Sequence, residues 1–142
     1  MLDAYTFTDQ SIIEVSSQNL IPIKINAETN YGMQLFEEYN GTAYPLIIFL
    51  DSDGKEIDRF YGYIPAYEFS IKINNALTNS NSLSSYLEQY NKGNHSAELI
   101  KLLADKYSNK GDYQQAIQLF NELIFTANKS KQDHEYAKSQ NH

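Results

Sequence analysis

The sequence predicts an α/β domain with helices flanking a sheet, followed by an all-α helical extension, and three observations support this fold class. Residues 46–50 are all apolar, which indicates a strand covered on both faces. Segments of helical periodicity precede and follow this strand, as expected for helices layered on a sheet. From Ser82 onward the apolar spacing is purely helical, interrupted only at glycine-containing turns.

Composition and charge limit the possible partners. Of the 142 residues, 42% are hydrophobic and 13% aromatic, enough for one ordinary domain or two small ones to bury a core. Residues 1–78 contain 11 acidic and 4 basic side chains, whereas residues 79–142 contain 7 of each. Because phosphate binding needs clustered Lys and Arg, we expect no nucleic acid and no membrane as partner. The change in composition also predicts a domain boundary near Asn79 to Ser82.

The first elements follow from capping signals and periodicity. Thr8-Asp9 is an N-cap signal for a helix from about Gln10 to Gln18. The residues of this helix expected to face inward are Ile12, Ile13 and Val15. Residues 1–7 precede it and are expected to form the end of another helix.

A strand, a helix and a second strand are predicted over residues 20–50. Residues 20–26 alternate in polarity, which predicts a strand with Ile21, Ile23 and Ile25 on one face. A helix over residues 30–40 follows, with Gly41 as its C-terminal cap. Together with the central strand, these elements would make a right-handed βαβ crossover.

The remainder of the domain reads as a hairpin and a helix. Asp51-Ser52-Asp53-Gly54 is a turn signal, so residues 56–61 should return antiparallel to the central strand. The alternation in this return strand is typical of a sheet edge. A helix then begins near Pro65. Its packing residues are expected to be Phe69, Ile73 and Leu77.

The C-terminal part contains two sets of apolar and small residues at helical spacing. A first apolar stripe consists of Leu83, Tyr86, Leu87 and Tyr90. The second set is Ile100, Leu103, Ala104, Tyr107, Gly111, Tyr113, Ala116, Phe120 and Leu123. The spacing of this second set resembles that of a tetratricopeptide (TPR) helical hairpin. We therefore predict three regions: a domain over residues 1–79, a TPR-like hairpin over 80–128 and a polar tail over 129–142 that frays.

The central strand is flanked by four short motifs: Tyr39-Asn40-Gly41-Thr42-Ala43-Tyr44-Pro45, Asp51-Ser52-Asp53-Gly54, Gly62-Tyr63 and Glu68-Phe69. In these motifs the chain resembles a thioredoxin-like domain of bacterial thioredoxin-family proteins. Residues 2–9 are similar to the segment that follows the Cys-x-x-Cys-Lys motif in this family. The chain contains no cysteine. The resemblance therefore implies a partial thioredoxin-like sheet without its N-terminal strand and cysteine motif.

The same resemblance implies a substrate-binding site at Ala43, Tyr44, Pro45 and Gly62. In the family, the proline follows a cis peptide bond and its loop faces the cysteine pair. Backbone groups of Ala43 and Tyr44 would then pair with a protein or peptide substrate bound in extended form. From the residues alone, a trans proline at a strand start and a simple bend at Gly62 are the alternatives.

No catalytic residue, cofactor or metal site is predicted in the chain. Asp51-Ser52-Asp53-Gly54 does not fit a calcium loop, because the twelfth position is Gly62 instead of a bidentate glutamate. The histidines His95, His134 and His142 have no metal-ligand spacing and no clustered carboxylates. The missing cysteines give no information on the compartment.

In a thioredoxin-like sheet, one further strand lies between the strands predicted at residues 20–26 and 46–50. We expect that the chain is a fragment, with the second cysteine about two residues before Met1. The alternatives are that Met1 is the true start, that the two strands pair directly, or that a partner donates a strand.

Two functions follow from this interpretation. The first is a fragment of a thiol–disulfide oxidoreductase acting on protein disulfides, whose helical extension modulates the choice of partner. Alone it would be inactive, because no other side chain replaces a thiolate in disulfide exchange. The alternative is a redox-inactive thioredoxin-like and TPR-like module that binds peptides or proteins.

Overall fold

A computed structural model describes residues 1–140, with side chains through residue 132. The chain divides into two compact units, Met1–Ser85 and Tyr86–His142. The elements in chain order are a π-helical turn (Leu2–Thr6), α1 (Gln10–Asn19), α2 (Asn30–Glu38), β1 (Leu46–Leu50), β2 (Glu56–Tyr61), α3 (Ala66–Leu77), α4 (Leu83–Asn91), α5 (Ala97–Asn109) and α6 (Tyr113–Gln140). The predicted mixed α/β fold with a helical C-terminal region is confirmed.

β1 and β2 form the predicted antiparallel hairpin. The paired residues are Leu46 with Tyr61, Ile47 with Phe60, Ile48 with Arg59, Phe49 with Asp58, and Leu50 with Glu56. The shift after Phe49 leaves Ile57 without an opposite residue and forms a β-bulge. In the turn, Asp51 Oδ1 accepts hydrogen bonds from the backbone N–H groups of Asp53 and Lys55 at 3.0 and 2.9 Å. Gly54 supplies the left-handed conformation, with φ 78°.

The core of the first unit is an aromatic cluster between the hairpin, α1 and α3. Its buried members are Ile12, Phe49, Phe60, Phe69, Ile73 and Ala76. The rings of Phe60 and Phe69 meet edge to face, with centroids 5.6 Å apart. The N-cap of α1 is Asp9, as predicted, and its side chain accepts a hydrogen bond from the Ser11 N–H at 3.0 Å. Two predicted packing residues are exposed instead: Ile13 and Leu77, because Ile12 and Ala76 occupy the inward faces of their helices.

Residues 20–26 do not form the predicted strand. Ile21, Ile23 and Ile25 are 89%, 77% and 39% exposed. Within residues 1–140 the sheet consists of β1 and β2 only, so neither the βαβ crossover nor direct pairing of residues 20–26 with β1 is present. An extended segment becomes a strand only when a neighbouring strand pairs with its backbone groups.

The burial of the two strands also differs from the prediction. In β1 only Phe49 is buried and Leu50 is exposed, because β2 is its only neighbouring strand among the described residues. In β2 the consecutive residues Asp58, Arg59 and Phe60 are all buried. Both faces of β2 are therefore covered, although β2 lies at the edge of the sheet as predicted, since β1 is its only neighbouring strand among the described residues.

The end of α2 is capped by two residues in succession. Asn40 adopts the left-handed conformation, with φ 51°, and not Gly41 as predicted. The Gly41 N–H donates to Phe36 O at 2.8 Å. Gly41 is required for space, since a Cβ there would lie 2.3 Å from the Phe36 ring.

α4 begins with a reciprocal cap. Ser82 Oγ accepts a hydrogen bond from the Ser85 N–H at 3.0 Å, and Ser85 Oγ accepts one from the Ser82 N–H at 3.1 Å. The Ser82 hydroxyl also contacts Asn79 Oδ1 at 2.8 Å. This arrangement is a capping box with serine at both positions. Each serine side chain accepts a hydrogen bond from the backbone N–H of the other serine.

α5 and α6 form a helical hairpin in the second unit. Its buried residues are Leu99, Ile100, Leu103, Ala104, Ala116 and Leu119. Gly111 in the connecting turn has φ 77°. α6 continues to Gln140, so the expected fraying from residue 129 is wrong as far as residue 140, while residues 141–142 lie outside the described part. Lys, Gln, Glu and Ala in this stretch are good helix formers. Across residues 1–140, no helix combines the length and apolar character needed to span a membrane.

Candidate substrate-binding site

The hairpin brings two of the predicted site residues together. The Gly62 N–H donates to Pro45 O at 2.9 Å, directly beyond the first strand pair. Gly62 adopts φ 80°, and a Cβ built there meets no atom within 4 Å. The Tyr44–Pro45 peptide bond is cis. The positive φ therefore explains the glycine, and the space beside it is open.

Ala43 and Tyr44 form the outer side of this loop. Tyr44 is 61% exposed, and its ring stacks on Phe36 of α2 with centroids 4.3 Å apart. Among residues 1–140, no backbone group pairs with the N–H or C=O of Ala43 or Tyr44. Both residues are exposed, so their unpaired backbone groups are available to an external segment.

A buried ion pair between Arg59 and Glu56 lies next to the segment that precedes the loop. Arg59 Nε and Nη2 donate to the two carboxylate oxygens of Glu56 at 2.7 and 2.5 Å, and both side chains are nearly inaccessible. Arg59 Nη1 donates to Tyr39 O at 2.6 Å, which fixes the C-terminal end of α2 to β2. Burial opposes the charged guanidinium, but hydrogen bonds to Glu56 and Tyr61 outweigh it and raise the pKa of Arg59. Arg59 thus anchors the segment that leads into the loop.

The N-terminal turn is fixed beside the same loop. Thr6 is fully buried, and its hydroxyl donates to Ile64 O at 2.6 Å. Lys24 adds an exposed ion pair to Asp3 at 2.7 Å. The Thr6 contact joins positions that are 58 residues apart and follow no local pattern, so the sequence analysis did not find it. The anchoring role of Arg59 was missed for the same reason.

The arrangement offers backbone hydrogen-bonding groups and an aromatic surface, but no reactive group. The chain has no thiol. Residues 1–132, whose side chains the structure describes, contain no group of three or more side chains arranged to hold a metal ion. Among these residues His95 has a single carboxylate neighbour, since its Nδ1 lies 3.0 Å from Glu122 Oε1. The side chains of His134 and His142 lie outside the described part.

Comparison with known proteins assigns the family. The model of the family described as "Thioredoxin-like domain" matches residues 3–77, more than half of the chain and all of the loop residues above. The chain therefore belongs to the thioredoxin-like domain family. Neither the curated proteins nor the solved structures include a match to it.

Proposed function

We propose that this chain supplies the substrate-facing part of a thioredoxin-family thiol–disulfide oxidoreductase that acts on protein disulfides. The observation that carries the proposal is the exposed loop in which Pro45 and Gly62 are hydrogen-bonded beside the unpaired backbone of Ala43 and Tyr44. An extended substrate segment would add to these groups as a strand and would pass over the open space at Gly62.

The redox step needs a cysteine pair that this chain does not contain. In that step a thiolate attacks one sulfur of the substrate disulfide, and the substrate's S–S bond breaks. The second cysteine then displaces the substrate from the mixed disulfide. The substrate leaves as two thiols and the pair becomes a disulfide. In our proposal this chain orients the substrate and contributes no electron.

Two further features support our proposal that a strand and the start of a helix, which together carry the cysteine pair, lie outside this chain. The contact of Thr6 with Ile64 holds the N-terminal turn beside the segment that follows Gly62. The isoleucines Ile21, Ile23 and Ile25 are exposed, and one edge of β1 has no neighbour among the described residues. A strand lying between residues 20–26 and β1 would cover both surfaces.

We further propose the domain limits of residues 1–79 for the thioredoxin-like domain, 80–128 for a TPR-like hairpin and 129–142 for a polar tail. Buried Ala104 and Ala116, which allow two helices to approach closely, support the TPR-like assignment. The hairpin would modulate the choice of protein partner.

A redox-inactive module that binds peptides or proteins is the second candidate. The absence of cysteine from the chain favours it. In that case the same loop would bind extended peptides without changing them, and the helical hairpin would bind partners.

An insulin-reduction assay tests the proposed function. The present chain should show no turnover, whereas a protein extended by the upstream reading frame should contain Cys-x-x-Cys-Lys and reduce insulin. In the extended protein, Gly62→Asn should raise the KM for insulin, because Asn tolerates a positive φ but fills the space beside Pro45.

Gly93→Asn is the matched control, since Gly93 also has a positive φ and open space at its Cβ but lies between α4 and α5. It should leave KM unchanged. Turnover by the present chain would contradict the role assigned to the missing cysteines. An upstream stop codon, together with a stable monomer, would favour the binding module.

A further inference from the structure

The second unit contains a cavity of about 320 Å³ between α4, α5 and α6, within the volume range of ordinary ligand sites. Its apolar lining residues are Leu87, Leu103 and Leu119. Asn91, Gln115 and Gln118, which carry side-chain amides, also line it. The cavity thus combines an apolar wall with neutral hydrogen-bonding groups.

Glu122 is the charged group at this cavity. Tyr90 Oη donates to Glu122 Oε2 at 2.6 Å, and His95 Nδ1 contacts Glu122 Oε1 at 3.0 Å. The rings of Tyr90 and His95 also pack together, with centroids 4.2 Å apart. The three side chains come from α4, the following loop and α6, so the carboxylate is held in one position.

This carboxylate remains available to a ligand. Hydrogen bonds from Tyr90 and then from His95 lower the pKa of Glu122, which keeps the side chain ionised at neutral pH. Each carboxylate oxygen can accept a further hydrogen bond beyond the one described. None of the described residues that line the cavity is lysine or arginine, so no lining residue neutralises the charge.

We propose that this cavity binds an arginine or lysine side chain of a partner polypeptide. The cation would pair with Glu122 while its methylene stem packs on Leu87 and Leu119, as long basic side chains commonly do. The amide groups of Asn91, Gln115 and Gln118 can donate and accept hydrogen bonds, which suits the backbone of a bound peptide. The proposal concerns α4–α6 alone and does not depend on the function proposed for the first unit.

The test is an NMR titration of the isotope-labelled full chain with the peptide acetyl-Ala-Arg-Ala-amide at pH 8. We expect saturable shifts at Leu87, Tyr90, Gln118 and Leu119. The same peptide with citrulline, which has the shape of arginine without its charge, should bind at least about tenfold more weakly. Equal binding of the citrulline peptide would overturn the proposal.

Charge variants test whether Glu122 is the group that binds the arginine side chain of the peptide. Glu122→Gln should weaken arginine-peptide binding at least about tenfold. Glu88→Gln is the matched control, because Glu88 also lies in the helical region but forms an exposed ion pair with Lys92 outside the cavity lining. It should leave binding unchanged. Gln118→Lys, at an exposed lining position, adds a cation without removing Glu122 and should weaken binding even if Glu122→Gln does not fold.

Three outcomes would overturn the proposal. The first is the absence of saturable shifts up to about 20 mM peptide, since one charged contact ordinarily gives millimolar affinity. The second is equal weakening by Glu88→Gln and Glu122→Gln. The third is binding of butylguanidinium as tight as that of the peptide, which would make the site one for a small cation instead of a polypeptide.

Discussion

Arg59 shows how a single residue can couple the sheet to the candidate site. Its guanidinium forms two hydrogen bonds to Glu56 and one to the carbonyl of Tyr39, in surroundings that exclude water. A buried charge of this kind is tolerated only when it is paired and its donors are satisfied. The contact therefore ties the end of α2, and the loop that follows it, to β2.

We expect Glu56→Gln to destabilise the protein by about 3 kcal/mol, because it leaves the buried Arg59 cation without a counter-charge. Urea denaturation followed by circular dichroism measures this change in the free energy of unfolding. Glu88→Gln makes the same substitution in an exposed ion pair and should have a much smaller effect. Similar losses in both variants would show that burial of the Arg59 pair adds nothing to stability.

At the level of single elements, the sequence correctly predicted those that depend on local hydrogen bonds. It failed for the strand that depends on pairing with a distant segment. The hairpin follows from the Asp51-Ser52-Asp53-Gly54 turn, and α1 follows from Asp9, because both depend on hydrogen bonds within a few residues. The predicted strand over residues 20–26 failed, because its formation depends on a neighbour that local alternation cannot reveal. Likewise, the family resemblance identified Pro45 and Gly62 as two separate candidate site residues. Only the structure shows the hydrogen bond between them.

The cap of α4 also escaped the sequence analysis, although the helical spacing from Ser82 onward predicted the start of this helix. The reciprocal contacts of Ser82 and Ser85 are a capping signal, but the usual pattern has a Glu or Gln at the second position. Both serines are buried, so their backbone N–H groups have no access to water as a substitute partner.

Ser82→Ala should reduce the free energy of unfolding by about 1 kcal/mol, the usual cost of losing an N-cap side chain. Ser84→Ala is the control: Ser84 lies in the same first turn but outside this pair of hydrogen bonds, and its replacement should be nearly neutral. Thermal unfolding of both variants gives the comparison. A neutral Ser82→Ala would mean that the cap is not needed for α4.

For the whole molecule, several carboxylates favour the folded state only when ionised. The pKa values of Asp9 and Glu88 are lowered by hydrogen bonds from Ser11 and Lys92, and that of Glu122 by hydrogen bonds from Tyr90 and His95. A carboxyl group with a lower pKa in the folded state stabilises the protein above its ordinary pKa. That contribution is lost as the pH falls through the folded-state value.

We therefore expect the free energy of unfolding to decrease as the pH is lowered from about 5 to about 3. Urea denaturation at each pH measures this dependence. Glu122→Gln should make it shallower, because the variant has no titrating group at this position. A stability that rises on acidification, or an unchanged slope in the variant, would contradict the assignment.

The exposed isoleucines and the edge of β1 that has no neighbour among the described residues affect how copies of the chain associate in solution. Backbone groups without a neighbour, next to an apolar surface, are a template on which copies can associate into larger assemblies. Residues 1–78 also carry all of the chain's acidic excess. Mutual repulsion between these negatively charged regions opposes such contact, and dissolved salt weakens that repulsion. The negative charge of the first unit therefore opposes aggregation of the chain through the apolar surface that the same unit exposes.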